Sequence, residues 1–182
     1  GPAPSQNTAP RDAGVAGGTI VDSAGAVVGE DITANAPVYQ PHNGELWVEW
    51  LNKALDGEGT YVFIGGAPGQ PSSLANLAAI KEVAAKYPGL VLLEEEMASH
   101  NNDAAEMRRV VAGLLAKHGR IDGIITDNGS ISAPIIDAYD AAGYAPPALA
   151  VSAGTNGLAC QWEARKDYPF LTLDGNHMGS VV

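Results

Sequence analysis

The run Tyr61-Val62-Phe63-Ile64 passes directly into Gly65-Gly66-Ala67-Pro68-Gly69-Gln70-Pro71-Ser72-Ser73. Four consecutive apolar residues, aromatic and β-branched, predict a strand covered on both faces. The Gly/Pro run then turns the chain sharply. From Leu74 to Tyr87 a helix follows, with Ser72 or Ser73 as its cap and Pro88-Gly89 as its stop.

The same unit repeats on both sides. Upstream, His42 to Leu55 places Leu46, Trp47, Trp50, Leu51 and Leu55 on one helical face, which assigns both tryptophans to the core. Downstream, Leu90–Leu93, Gly123–Asp127, Ala148–Ser152 and Phe170–Leu173 read as strands. Between them lie helices over Asp103–His118, Ser130–Ala142 and residues 156–166. Five short, uniformly apolar strands alternating with helices predict an α/β fold, a doubly wound parallel sheet flanked by helices. Residues 1–17, without period and rich in Gly, Pro and Ala, read as a tail or linker. A β-like run at Gly18–Asp22 and an ambiguous one near Asp31–Ala34 precede the regular pattern.

The chain has 182 residues, 46% hydrophobic and 17% charged, and a formal net charge of -11. That is enough apolar material for a core, and the negative balance disfavours nucleic acid or an anionic membrane as partner. Cys160 stands alone, so no intrachain disulfide and no cysteine-rich metal site form. No apolar run approaches the ~20 residues of a membrane span, and no secretory signal is visible in this chain.

In a parallel sheet of this kind ligands bind beyond the carboxyl ends of the strands. The loops to read are therefore Gly66–Ser73, Glu94–Asn102, Asp127–Ser130, Ala153–Gly157 and Asp174–Gly179. The first ends without Gly-Lys-Ser/Thr and lacks Gly-x-Gly-x-x-Gly, so neither a P-loop nor a dinucleotide fingerprint is present, and no cofactor is expected. Its ligand candidates are Pro68, Gln70, Ser73 and Asn76; the alternative is a structural turn. Asp127 and Asn128 follow a strand and suit a sugar hydroxyl, or cap the next helix together with Ser130. Asn156 has the same two readings. Asp174 and Asn176 lie just past the last strand. Trp162, beside the loop after Gly157, is the aromatic candidate for stacking on a pyranose. Glu94-Glu95-Glu96 and His100 have the wrong spacing for a helical zinc site and read as a solvated strand end. No nucleophile stands with a base, so no catalytic residue is assigned.

The order of pieces resembles the type I periplasmic sugar-binding proteins of ABC transporters, ribose-binding-protein-like, and their C-terminal lobe in particular. The resemblance is carried by Val62–Gly69, Lys86-Tyr87-Pro88-Gly89, Ile121–Ile125, Ala141-Ala142-Gly143 and Thr172–Asn176, and spans roughly residues 12–182. It implies an α/β ligand-binding lobe over 18–182, with hinge-crossing segments near 18–22 and 171–176. It further implies a small sugar or polyol bound without conversion, a membrane permease as partner of the full-length protein, and a periplasmic or extracellular location. An isolated lobe exposes its hinge-facing surface, which makes a homodimer an expectation. The sequence departs from the family twice. Leu74 and Asn76 stand where an Arg is common, and Ser152-Ala153 where an Asp is common. The competing readings are the effector-sensing core of a LacI-type transcription regulator and a flavodoxin-like or Rossmann enzyme domain. The first lacks a DNA-binding segment here and the second lacks a fingerprint.

Overall fold

The structure, a computed structural model, describes residues 40–173. The runs at 18–22 and 31–34, and Asp174, Asn176 and His177, lie outside the described residues. The elements in chain order are α1 (Gln40–Ala54), β1 (Gly59–Gly65), α2 (Pro71–Ala84), β2 (Leu90–Leu92), β3 (Ala98–Ser99), α3 (Ala104–His118), β4 (Gly123–Thr126), α4 (Ala133–Ala142), β5 (Ala148–Ser152), α5 (Asn156–Arg165) and β6 (Phe170–Leu173). A 3-10 turn at Gly129–Ile131 separates β4 from α4.

All pairings are parallel, in the order β2-β1-β4-β5-β6. β3 pairs with the last two residues of β1, beyond the reach of β2. The strands are apolar throughout because each face has its own core. Val62 and Ile64 of β1, Ile124 of β4, and Leu149 and Val151 of β5 pack under α3, α4 and α5. Tyr61, Phe63, Ile125, Ala148 and Ala150 point the other way, toward Trp47, Val48 and Leu51 of α1 and Leu77, Ile80 and Val83 of α2. Alternate side chains thus enter opposite layers, the period of a strand buried on both sides. Trp47 is fully buried and donates from Nε1 to Val151 O at 3.4 Å. Trp50 is half-buried against the same core.

Three local expectations are corrected. α2 begins at Pro71, because proline suits the first helical position, and neither serine caps it. The Ser72 hydroxyl receives Gln70 Nε2, and Ser73 is drawn into the sheet rim. The helix expected from Ser130 starts instead at Ala133, after the 3-10 turn that Asn128 caps. The stretch 94–102 contains the short strand β3, which two residues of no distinct period could not announce.

Candidate functional site

β1 and its neighbours β2 and β4 set the candidate end of the sheet. The chain leaves β1 for α2 and β2 on one side and crosses to β4 on the other, so the crevice beyond the carboxyl ends of β1 and β4 is the switch point of the sheet. Gly65 and Gly66 stand on one bank of it and Asp127 on the other.

Gly65 has little room for a side chain. A Cβ on Gly65 would lie 2.2 Å from Met97 Sδ and 2.9 Å from Ser73 Cβ. Gln70 folds back over Gly66, and its Oε1 accepts from Ala67 N at 3.1 Å. With both ends of its amide bonded, Gln70 shapes the loop. Pro68 sits at the exposed tip beside Gly69, whose φ of 81° closes the turn.

Ser73, in the first turn of α2, is fully buried. Its Oγ accepts from Gly66 N at 3.0 Å and donates to Asp127 Oδ2 at 2.5 Å. Asp127 Oδ1 meets Nε2 of His100 at 3.1 Å. His100 is itself fully buried, which corrects its reading as part of a solvated strand end. The acids of that run do face outward: Glu94 binds Lys117 and His118, and Glu95 binds Lys81. Among the described residues no group of three or more His, Cys, Asp or Glu is placed to hold a metal.

The other rim residues follow. Asn128 Oδ1 accepts from the backbone N and the hydroxyl of Ser130, and its Nδ2 lies 3.5 Å from Asn102 Oδ1. Asn128 is thus a cap whose amide N–H group remains at the crevice. Ser152 Oγ donates to Asp127 O at 2.8 Å and ties β5 to β4. Thr155, not Asn156, caps α5, leaving Asn156 exposed at its first position. Ala153 follows β5 with φ of 52°, a left-handed conformation uncommon for alanine. Asn76 is buried one turn beyond Ser73, and its Oδ1 has no partner.

Trp162 is placed elsewhere. Its ring packs against Phe170 at a centroid distance of 6.1 Å, and Nε1 donates to Tyr168 O at 3.0 Å. Phe170 opens β6, at the end of the sheet opposite the rim, so this indole is not among the rim groups. A helix that begins at the rim carries its seventh residue about 9 Å away from it.

His100, Ser99, Asn102 and Ser152 are the rim residues that sequence reasoning did not nominate. The available signal was position: Ser99-His100-Asn101-Asn102 is a polar run inside one of the loops that the sheet delivers to the rim.

A parallel, doubly wound α/β lobe whose polar loops converge at its switch point defines a ligand-binding class of fold. The family model described as periplasmic binding protein domain matches residues 13–176, and the chain belongs to that family. Its fold is similar to an ABC transporter periplasmic solute binding protein from Actinobacillus succinogenes 130z with bound D-allose, at 20% identity and a TM-score of 0.67, covering 79% of this chain and 49% of that one. It is similar also to the periplasmic binding protein of the arabinose ABC transporter from Shewanella sp. ANA-3, at 17% identity and TM-score 0.66, covering 78% and 48%. An ABC sugar transporter subunit from Rhodobacter sphaeroides 2.4.1 matches at 17% and 0.61, covering 74% and 49%. The chain spans about half the length of these structures. No curated protein sequence matches it.

Proposed function

We propose that this lobe captures a small uncharged sugar or polyol and releases it unchanged, as part of the solute-binding component of an ABC transporter. The observation that supports the reading is that the loops after β1, β3, β4 and β5 all leave the carboxyl ends of one parallel sheet, where bonds join Ser73, Asp127, His100, Asn128, Asn102 and Ser152. Asn128, Asn102, Asn101 and Asn156 offer donors and acceptors suited to hydroxyl groups. Among the described residues the side-chain partners of Asp127 are Ser73 and His100, and no lysine or arginine bonds it. Three of the similar structures are named for D-allose, arabinose and a sugar transporter. In the full-length protein a second lobe would close over the solute, with chain crossings near 18–22 and 171–176, and a membrane permease would receive it. A periplasmic or extracellular site of action and the absence of catalysis belong to the same proposal.

The test is a thermal-shift series with D-allose, L-arabinose, D-fructose, D-tagatose and sugar alcohols, with FMN and NAD as counter-probes. A solute at a hundred times its Kd stabilises by about 2.7 kcal/mol, raising Tm by roughly 5–10 °C. No response to any neutral sugar, with a response to FMN or NAD, would sink the proposal.

A further inference from the structure

At the rim a serine from the first turn of α2, a histidine from the loop after β3 and an aspartate from the loop after β4 are buried against one another. Ser73 and His100 are fully buried, and the Asp127 side chain is only 10% exposed. Their bonds run in one sequence. Gly66 N–H donates to Ser73 Oγ at 3.0 Å, and Ser73 donates to Asp127 Oδ2 at 2.5 Å. On the other side Asn102 N–H donates to His100 Nδ1 at 3.0 Å, while Nε2 faces Asp127 Oδ1 at 3.1 Å. A backbone donor aimed at Nδ1 leaves that nitrogen as an acceptor, so Nε2 carries the hydrogen and donates to Asp127. Each polar atom of the sequence has a partner of the right kind.

This is not a nucleophile arrangement. The carboxyl group stands between the hydroxyl and the imidazole, so the histidine has no direct path to the serine proton. What the three residues do join is backbone. Gly66 belongs to the turn after β1. Asn102 belongs to the turn after β3, where Asn101 and Asn102 both hold left-handed φ values of 47° and 55°. Two consecutive left-handed residues need outside support. They receive it from His100 Nδ1 and from Ser99 Oγ, which accepts Asn101 N at 3.2 Å. Ser99 also donates to Gly66 O at 2.5 Å, so the two turns are joined twice. Asn128 adjoins the second of them, its Nδ2 within 3.5 Å of Asn102 Oδ1.

We propose that Ser73, Asp127 and His100 form a positioning clasp that fixes the turns at Gly66 and Asn101-Asn102 beside Asn128, with Asp127 acting through its two partners and not by touching solute. This deepens the solute-binding reading and rests on it for its purpose, but the clasp is measurable without ligand. Asp127 contacts neither the Gly66 amide nor the Asn102 amide, yet it should control both.

The experiment is NMR on the whole chain, with 15N-labelled histidine and amide hydrogen exchange. In the wild type His100 is expected in the Nε2–H form. Asp127→Ala is expected to speed exchange at both Gly66 and Asn102 about tenfold, the scale of a lost buried hydrogen bond. Asp127→Asn keeps one acceptor oxygen and should restore one of the two amides. A wild-type His100 protonated on Nδ1 overturns the clasp, and so does a folded D127A with both amides as protected as in the wild type. If D127A does not fold, the wild-type tautomer decides alone. Failure here leaves solute binding standing, and failure of every sugar to bind leaves the clasp standing.

Discussion

Gly129 is the residue at which the rim tolerates least. It opens the 3-10 turn after β4 and is buried. A Cβ placed there would lie 2.8 Å from Ser152 O, 2.9 Å from Ala153 O and 2.9 Å from Gly154 Cα. All three are backbone atoms of the segment leaving β5, so no side chain can rotate away to make room. Gly129→Ala must separate the loops after β4 and β5, and the bond from Ser152 Oγ to Asp127 O stretches with them. Overpacking of this kind costs about 1–3 kcal/mol, and three backbone contacts place it in the upper half, about 2–3 kcal/mol. For a chain of this size that lowers Tm by roughly 4–12 °C. The matched control is Gly113→Ala in α3, where an added Cβ meets nothing within 4 Å. There the better helix former adds about 1 kcal/mol and raises Tm by roughly 2–4 °C. Differential scanning calorimetry of the two variants reads opposite signs from one chemical change. A G129A melting temperature at or above that of the wild type would refute the close-approach argument.

Burial, and then the nearby charge of Glu95, push the Tyr61 phenol up to about 12, and its hydroxyl has no hydrogen-bond partner. Tyr61→Phe should therefore leave Tm unchanged or raise it by up to roughly 4 °C, and a loss beyond 1 kcal/mol in denaturant titration would reveal a partner for the hydroxyl. The same shift makes the folded state favour the protonated phenol, so this contribution is complete below pH 10 and fades as pH rises toward 12; Y61F should lack that alkaline loss. Glu94 is held below its ordinary 4.5 by bonds from His118 and Lys117, both at 2.6 Å. A depressed folded value stabilises above the ordinary carboxylate range and is lost as pH falls through it, so the Tm gap between wild type and Glu94→Gln should be wider at pH 6 than at pH 3; an equal gap would count against the bond. Ala153→Asn places a residue tolerant of left-handed backbone at φ of 52° and should gain about 0.5–1 kcal/mol, checked by urea unfolding, with a loss of that size as the contrary result.

The fold was legible because its signals are local. Tyr61–Ile64, Gly123–Thr126 and Ala148–Ser152 are apolar on both faces, and each is followed by turn residues and a helical period. Those features need no knowledge of what lies elsewhere in the chain. β3 escaped because its two residues pair with β1 through tertiary placement alone, not through any pattern of their own. Trp162 is close in sequence to a rim loop, but α5 carries it away from the rim to pack on Phe170. Of the two readings of Asn156, the capping one goes to its neighbour Thr155, whose side chain makes the bond.

The rim itself was half legible, for a physical reason. Loop position nominated Gln70, Ser73, Asp127 and Asn128, but not what their hydrogen bonds would be used for. Ser73 meets Asp127 across 54 residues of chain, and Asp127 meets His100 across 27. No spacing rule reaches so far. Those bonds commit Gln70, Ser73 and Asp127 to the loops, and on the proposed reading the remaining amide positions of Asn128, Asn102 and Asn156 would be the ones to meet a solute. The two departures from the family pattern fit that arrangement. With Leu74 and Asn76 where an Arg is common in the family and Ser152-Ala153 where an Asp is common, recognition on the proposed reading would fall to neutral groups whose geometry must be fixed in advance. Neutral hydrogen bonds are weaker than charge-assisted ones, so a site built from them depends more heavily on preorganisation, which is what buried bonds between the loops provide.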